Sequence, residues 1–546
     1  MNSKEKRHPE ELNNHYVPLS HMPFQSEKGQ TVKRHGLDER TGDAAHGRSR
    51  HALKARKLGL TAKPGEAIAV MPEDCFVCRS EGLTARTSIM VEAGSAKTAA
   101  RLLRSNNGLV VEGEIGLSDE AWTKLSLKEG DVVEVRHPQP VPSFNVLRKR
   151  VYGNRLERSD FTGIVSDLVA GRYSDVHLAS FVTACSAFPL DLQEMIGLTH
   201  AMVDAGKRLS WPQQVIVDKH SVGGLPGNRT TPIVVSIIAA LGLVMPKTSS
   251  RAITSPAGTA DTMETLAPVD LDVDRIREVV ARQNGCLAWG GAVQLSPADD
   301  IIIGVEKALD LDSTGQLVAS VLSKKIAAGA THLVIDMPIG PTAKIRTAQA
   351  ADKLSYWLQA VAASFGLKTR VLPGPGTQPI GRGIGPALEA RDVLAVLKQQ
   401  EGPADLASRA CELAGALLEL AEFVPDGQGL ALAWQTLESG RAWQKFQGIC
   451  EAQGGMRDPP VSTHRQVIRA THSGTLRSID NRQLAKLAKL AGAPAAKAAG
   501  VELHCRLGEA IKDNAALCTV HAESGGELDY ALQFYADGAA VFGIEG

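Results

Sequence analysis

The spacing of hydrophobic residues changes several times along the chain and divides it into segments of different predicted structure. Residues 1–50 mix charged residues with Asn, His and Gly and show little apolar periodicity, which is typical of a disordered tail. From about 51 to 140, short runs such as EAIAVM and GDVVEVRHP lie between Gly and Pro residues, which predicts a small β-rich domain. Residues 145–213 follow a helical period, with two amphipathic helices of which the second ends at Gly206, and this predicts a small helical domain.

Buried strands and long helices alternate in the next part of the chain. The strand Val215–Asp218 precedes a Gly-rich loop and the helix TTPIVVSIIAALG, and the strand HLVIDM is followed by a further helix and strand. This alternation predicts a doubly wound, mainly parallel sheet over residues 214–460. The helical residues 297–328 interrupt the pattern and are expected to pack on the helical domain. Short β runs around one Ala-rich helix return in residues 465–546 and predict an α+β module.

The predicted fold class is therefore α/β. It combines a parallel or mixed-sheet α/β domain with a small helical domain, a β-rich N-terminal domain and an α+β C-terminal module.

Charge and cysteine content narrow the range of functions. The 546 residues include 60 basic and 60 acidic side chains, so a nucleic-acid partner, which needs a basic surface, is not expected. The close pair Cys75 and Cys78 lacks a second ligand pair at zinc-site spacing, which favours buried thiols in a reducing compartment. No apolar run reaches 18 residues and the N-terminus has no apolar leader segment. The expected protein is cytoplasmic, with no bound metal and no membrane contact.

The first chemical motif is D-K-H-S-V-G-G-L-P-G-N-R-T-T, residues Asp218–Thr231, at a predicted junction of strand, loop and helix. Its glycines let the backbone approach a ligand closely, and the free N–H groups of a helix N-terminus favour an anion. Lys219 adds a full positive charge. This composition indicates a phosphate site, although the Walker spacing is absent. The alternative is a tight turn in which a serine only caps the helix.

The second motif is T-S-S-R-A-I-T-S-P-A-G-T-A-D-T-M-E, residues Thr248–Glu264, which follows another predicted strand. Ligands of open α/β sheets lie beyond the carboxyl ends of the strands, so the two hydroxyl-rich loops are expected to converge. The alternative is a Ser/Thr-rich loop that caps itself.

Together the two runs resemble the thymidine/pyrimidine-nucleoside phosphorylase family, including its archaeal branch, AMP phosphorylase. That family has a K-H-S-x-G-G loop followed by a run with S-x-R, G-T, Asp and Glu, and here these are Lys219–Gly224 and Ser249–Glu264. The resemblance extends from about residue 60 to the C-terminus. It implies a pentosyltransferase in which the helical and α/β domains face each other across a cleft, and it implies a homodimer.

The class reaction implied is phosphorolysis of an N-glycosidic bond, thymidine plus phosphate giving thymine and 2-deoxyribose 1-phosphate. The alternative is a nucleoside 5′-monophosphate phosphorylase that acts on AMP and gives ribose 1,5-bisphosphate. Inorganic phosphate is a co-substrate in both, and no cofactor is implied.

The resemblance also implies site residues. Phosphate would be held on the α/β side by Lys219, Ser221, Thr231, Ser249 and Thr259, with the ligand also near Gly224, Ser250, Arg251, Ala252, Ile253, Thr254 and Ser255. Ser320 and Lys324 match base-contacting positions on the helical side, Lys344 lies near the ligand in nucleotide-acting members, and Asp312 is the candidate proton donor.

The chemistry requires these residue types. Phosphate must be positioned against an anomeric carbon, and the departing base benefits from a nearby acid or cation. Asp312 could donate a proton only with a raised pKa, to which Asp310 could contribute, and the alternative is that Asp312 caps a helix. His220 is a candidate base, but within a phosphate loop a scaffold role is favoured.

One departure from the family concerns the base. Pyrimidine-nucleoside phosphorylases have an arginine fifteen residues before the serine that matches Ser320, and an ungapped count from there reaches Val305. The sequence L-P-G-N-R-T-T and the extra N-terminal domain resemble the AMP branch, while long bacterial proteins of this type are labelled thymidine phosphorylases.

Two other hypotheses concern the reaction. One is a transferase that uses a diphosphate-bearing sugar, which is disfavoured because no paired acidic motif for Mg²⁺ lies beside the glycine loop. The other is a non-catalytic nucleotide-binding relative.

Overall fold

The computed structural model describes residues 52–61, 66–85, 88–137, 141–252, 255–311 and 313–546. The tail predicted for residues 1–50 lies outside these ranges. The first domain contains, in chain order, β1 (Ala52–Lys57), β2 (Ile68–Pro72), α1 (Phe76–Ser80), β3 (Ser88–Ala93), β4 (Ala96–Ser105), β5 (Glu114–Leu117), α2 (Asp119–Leu125) and β6 (Val132–Arg136). The strands close a barrel in the order β1-β5-β2-β4-β3-β6. Alternating residues such as Ile89 and Val91 fill its interior, because successive side chains of a strand point to opposite faces.

A helical bundle follows, made of α3 (Ser143–Val151), α4 (Arg158–Val169), α5 (Asp175–Ala187) and α6 (Leu192–Asp204). The start of α5 is capped by Ser174, whose hydroxyl accepts a hydrogen bond from the backbone N–H of His177. Asp191 caps α6 in the same way. The apolar faces of the four helices meet in a core around Phe161, Phe181 and Leu198.

The central domain is an α/β structure. Its elements are β7 (Val217–Ser221), α7 (Thr230–Ala240), β8 (Met245–Ser249), α8 (Thr259–Glu264), α9 (Val273–Gln283), β9 (Gly285–Trp289), α10 (Gly290–Val293), α11 (Pro297–Leu309), α12 (Thr314–Ala327), β10 (His332–Ile339), α13 (Ala348–Ala363), β11 (Lys368–Pro375), β12 (Gly383–Ile384), α14 (Pro386–Leu397), α15 (Ala404–Leu420), α16 (Gly429–Glu438) and α17 (Arg441–Gln453). Strands β11, β10 and β7 pair in parallel, as do β8 and β9, and a bridge between Ile216 and Val244 joins the two sets. The carboxyl ends of β7 and β8 therefore meet at one edge, and the predicted α/β class is confirmed.

Helix α7 has an unusually apolar sequence, TTPIVVSIIAA. Ten of its eleven residues, Thr230 to Ala239, are buried, because it packs between the sheet and the helices α15 and α17. A helix covered on all sides has no polar face to display, so its sequence shows little amphipathic pattern.

Helices α11 and α12 depart from the sheet and join the bundle. Ala298 and Ile302 of α11 and Val318 and Leu322 of α12 belong to the same buried core as Phe161. Side chains on α12 are thereby held beside the end of β7.

The last part of the chain forms β13 (His464–Arg469), β14 (Gly474–Ile479), α18 (Asn481–Leu490), β15 (Gly500–Leu503), β16 (Ala510–Ile511), β17 (Ala516–Ala522), α19 (Gly525–Ala536) and β18 (Phe542–Glu545). They form two sheets, in the orders β12-β15-β17-β13 and β16-β14-β18, around an apolar core. Strand β12 comes from the α/β domain and pairs with β15 through Gly383–Glu502 and Ile384–Val501. The glycine-rich residues 374–386 thus include the end of β11 and the whole of β12.

Candidate active site

The first loop of the site begins at the end of β7. This strand extends from Val217 to Ser221, three residues beyond the predicted end at Asp218, because Asp336 of β10 continues the pairing to Ser221. Gly223 and Gly224 follow with φ values of +90° and +82°. A Cβ atom on Gly224 would lie 2.3 Å from the backbone nitrogen of Lys344, so the predicted Lys344 segment packs directly on this loop.

Replacing Gly224 with alanine is expected to destabilise the protein by about 1–3 kcal/mol more than replacing Gly223 with alanine. Both positions have positive φ, which disfavours any residue with a Cβ, but only Gly224 is in contact with another backbone segment. A Cβ on Gly223 meets no described atom within 4 Å. Chemical denaturation of the two variants measures the difference, and equal destabilisation would contradict the close approach.

Lys219 is the buried cation of this loop, with 1% of its surface exposed. Its Nζ donates a hydrogen bond to Thr230 Oγ1 at 2.8 Å and lies 3.7 Å from Asp336 Oδ2. Asp336 also accepts hydrogen bonds from Arg409 (2.7 Å) and from Asn228 (2.8 Å). Burial lowers the pKa of Lys219 to about 8, partly opposed by the negative charge of Asp336. The ammonium group is thus fixed at the N-terminus of α7, where an anion is favoured.

Asp218, the residue before Lys219, is paired with two further lysines. Its Oδ1 accepts a hydrogen bond from Lys247 Nζ at 3.0 Å, and its Oδ2 forms an ion pair with Lys325 Nζ at 2.9 Å. Burial alone would raise the pKa of Asp218, but the two ammonium groups hold it below its usual value. Burial lowers the pKa of Lys325, a residue of α12, to about 7. This cluster joins the bundle side to the sheet side.

His220 lies next to the lysine cluster. Burial lowers its pKa well below the usual value, and the charges of Lys325, Lys247, Lys324 and Lys219 act in the same direction. The imidazole is therefore neutral at physiological pH. Each of these four lysines is paired with a carboxylate, so a network of opposite charges surrounds the neutral ring.

The second loop follows β8 and folds back on itself. The hydroxyl oxygen of Ser249 is buried and has no hydrogen-bond partner among the described residues. Asp261 of α8 accepts hydrogen bonds from the backbone N–H groups of Ala252 (2.6 Å) and Gly258 (2.9 Å), which closes the loop. Thr259 begins α8, and its hydroxyl accepts a hydrogen bond from Arg229 at 2.8 Å. A buried hydroxyl without a partner at this edge is available to a ligand.

Other predicted residues of this loop differ in their surroundings. Arg251 donates two hydrogen bonds of 2.7 Å to Glu264, and this pairing raises the pKa of Arg251 and lowers that of Glu264 to about 2. Its guanidinium also lies over the ring of Trp289. Arg251 therefore holds the loop, and its contact with a ligand stays a prediction. Ser250 is exposed, Ser255 donates a hydrogen bond to Ala257 O, and the predicted residues Ile253 and Thr254 lie outside the described residues.

On the bundle side, Ser320 and Lys324 lie one turn apart on α12. Lys324 Nζ donates hydrogen bonds to Asp299 Oδ2 at 2.6 Å and to Ser320 Oγ at 3.2 Å. Asp299 is buried, and its other carboxylate oxygen has no hydrogen-bond partner among the described residues. Burial raises the pKa of the neighbouring Asp300, and the charge of Asp299 adds to this effect. Polar groups therefore line the bundle side as well as the sheet side.

The candidate acid Asp312 lies outside the described residues, so its role stays a prediction. In the sequence it falls between Asp310, which follows the last residue of α11 and has φ +51°, and Ser313, which precedes α12 and donates a hydrogen bond to Cys185 O. Val305 packs against the apolar core of the bundle.

Sequence reasoning did not select several residues that organise the site. Asn228 and Arg229 are within the first motif, while Asp336, Asp299 and Glu389 are not. Glu389 of α14 accepts hydrogen bonds from Arg229 (2.6 Å) and Thr262 (3.0 Å). Asp336 stands near the carboxyl end of a predicted parallel strand, a position that could have drawn attention to it. Glu389 had no such signal.

No group of three or more His, Cys, Asp or Glu side chains among the described residues could hold a metal ion. None of the helices in the described ranges is long and apolar enough to cross a membrane.

Comparisons with known proteins identify the family of the domains that carry these residues. The family model for the glycosyl transferase family, a/b domain, matches residues 213–443, and the model for its helical bundle domain matches residues 145–206. The pyrimidine nucleoside phosphorylase C-terminal domain matches residues 475–540. A solved anthranilate phosphoribosyltransferase from Thermus thermophilus superposes with a TM-score of 0.48 at 21% identity and covers 56% of this chain and 99% of its own.

Two relatives match nearly the whole chain. A protein of Sphingopyxis alaskensis named "Putative thymidine phosphorylase" is 64% identical over 90% of this chain and 96% of its own length. A protein of Parvibaculum lavamentivorans with the same name is 54% identical over 90% of this chain and 98% of its own. The family resemblance is thereby confirmed, and the chain belongs to the thymidine phosphorylase family within the glycosyl transferases that combine a helical bundle with an α/β domain.

Proposed function

We propose that this protein is a pentosyltransferase that cleaves the N-glycosidic bond of a nucleoside with inorganic phosphate, thymidine being the expected substrate. The observation that carries the proposal is the fixed ammonium group of Lys219 at the N-terminus of α7, with Ser320 and Lys324 on the bundle side. Phosphate bound at Lys219 would face a base bound at Lys324. The reaction is then a displacement at the sugar carbon between them.

The mechanism depends mainly on positioning and electrostatics. Phosphate would be held by Lys219 and by hydroxyl groups, namely those of Ser221, Thr231, Ser249 and Thr259. Bound in this way, an oxygen of phosphate attacks the anomeric carbon as the bond to the base breaks and positive charge develops on the sugar. Lys324 would stabilise the negative charge that develops on the base as the bond breaks, and Asp312 would then donate the proton that neutralises it.

The names of the relatives favour thymidine over AMP, so the nucleotide phosphorylase reaction is not favoured. A non-catalytic nucleotide-binding protein is also less well supported, because both of these relatives are named as putative enzymes over nearly the whole chain. We further propose that the enzyme needs no cofactor, acts as a homodimer and functions in the cytoplasm.

A substrate panel tests the proposal. The protein is incubated with thymidine, uridine, AMP and CMP, each with and without phosphate, and the release of free base is measured. We expect release from thymidine only when phosphate is present, together with formation of 2-deoxyribose 1-phosphate. Release of base that does not depend on phosphate would contradict phosphorolysis, and faster release from AMP would reverse the substrate preference.

The low pKa of Lys219 predicts a loss of phosphate affinity in alkali. The ammonium group is charged below about pH 8 and loses its proton as the pH rises through that value. We therefore expect kcat/KM for phosphate to fall above about pH 8, since this parameter reports the ionisation of the free enzyme. Phosphate itself ionises in this range, so the fall is attributed to Lys219 only if the pH profile of Lys219→Met, in which this ammonium group is absent, lacks it. A profile that stays flat to pH 10 would contradict the assignment.

A further inference from the structure

We propose that Lys497 of the C-terminal module is a positioning residue for the second loop of the active site. It lies between α18 and β15, and its Nζ is 2.8 Å from Glu264 Oε2 and 3.6 Å from Asp261 Oδ1. These carboxylates belong to α8 in the α/β domain. A cation from a separate module is thus paired with the two acidic residues that hold the loop between β8 and α8.

The same two carboxylates determine the shape of that loop. Glu264 accepts two guanidinium hydrogen bonds from Arg251, the second residue after β8, and Asp261 accepts a third at 3.4 Å. Asp261 accepts the backbone N–H groups of Ala252 and Gly258, at either end of the loop. Two negative and two positive side chains therefore form one network, and the hydrogen bonds that Lys497 and Arg251 make with Glu264 contribute to the low pKa of this carboxyl, about 2.

The backbone of Lys497 is also attached to the α/β domain. Its carbonyl oxygen accepts a hydrogen bond from the N–H of Ala387, in the first turn of α14. Glu389 of the same helix turn holds Arg229, which in turn donates a hydrogen bond to the hydroxyl of Thr259. The ion pairs of the Lys497 side chain and the hydrogen bond of its carbonyl oxygen therefore lead to the same loop, which lies between Ser249 and Thr259.

Loss of the Lys497 charge leaves Asp261 and Glu264 with Arg251 as their remaining ion-pair partner among the described residues. The loop would then sample other positions, and the hydroxyl of Ser249 would be presented less often to phosphate. The effect is expected on phosphate and not on the base, which is bound by α12. It is modest, because Lys497 is one-third exposed and solvent screens the pair.

The test compares Lys497→Met, Lys497→Arg and the wild type, and it relies on the phosphorylase activity proposed above. We expect Lys497→Met to raise KM for phosphate about threefold to fivefold while KM for thymidine changes by less than about twofold. Lys497→Arg keeps the charge and is expected to restore KM for phosphate. The matched control is Arg477→Ala, which removes an exposed ion pair with Glu545 in the same module.

Three outcomes would overturn the inference: unchanged KM for phosphate in Lys497→Met, an equal rise in Arg477→Ala, or an equal rise in KM for both substrates. A second measurement tests the role of Lys497 in phosphate binding without relying on catalysis. Inorganic phosphate should raise the Tm of the wild type more than that of Lys497→Met. If the wild type releases no base with phosphate, the proposed function fails, while a smaller Tm shift in Lys497→Met still supports the role of Lys497.

Discussion

Replacing Lys219 with methionine is expected to lower kcat/KM for phosphate by about two to three orders of magnitude, the usual loss when one fixed electrostatic contact to developing charge is removed. Lys219 is the buried ammonium group at the start of α7, and methionine has a similar length without the charge. Neighbouring Lys247 and Lys325 cannot replace it, because both are bound to Asp218. Steady-state kinetics with phosphate as the varied substrate measures the effect.

The loss should come from phosphate binding and not from unfolding. Asp336, the carboxylate near Lys219, keeps its hydrogen bonds to Arg409 and Asn228 in the variant, so it does not become an isolated buried charge. The Tm is therefore expected to change little. The control is Lys486→Met, which removes a lysine that lies over the ring of Phe534 in the C-terminal module. Activity of Lys219→Met within about threefold of the control would contradict the assigned role.

The parts of the fold that follow from local pattern could be predicted from the sequence. The strand, Gly-rich loop and helix from Val217 to Ala240 were predicted in the right order, because glycines with positive φ such as Gly223 and a long apolar run leave distinct signals. The convergence of the two loops also followed, since parallel strands place their carboxyl ends at one edge. Lys219 was selected from this motif, and the structure places its ammonium group at the start of α7.

Contacts between distant elements could not be predicted. Asp336 lies 117 positions from Lys219 along the chain, Arg409 lies farther still, and the sequence around neither residue contains a recognisable motif. The strand β12 was missed for a related reason, because its two residues pair with β15 and local preference for a strand is weak in GRGIGP. For Arg251 the motif predicts a contact with a ligand, and the sequence does not reveal that its guanidinium is also paired with Glu264. Tertiary pairing decides these features.

The buried cluster at Asp218 leads to the second large effect. Asp218→Asn is expected to lower the free energy of unfolding by about 3–5 kcal/mol, because removing one partner of a buried ion pair leaves the other uncompensated. Here Lys247 and Lys325 would both lose the carboxylate. Chemical denaturation measures the change. Asp204→Asn is the matched control, since Asp204 forms an exposed pair with Arg208 and should contribute at most about 1 kcal/mol.

A second substitution separates charge from shape. If the loss in Asp218→Asn comes from two uncompensated lysines, then adding Lys325→Met should recover part of the stability, because one of the two buried charges is removed. Lys325 is chosen because it lies on α12 and because burial lowers its pKa to about 7, so its ammonium form is unfavourable in the interior. A double variant no more stable than Asp218→Asn would mean that packing, and not charge, dominates. Recovery would instead identify Asp218 as the counter-ion through which α12, with Ser320 and Lys324, is held against the end of β7.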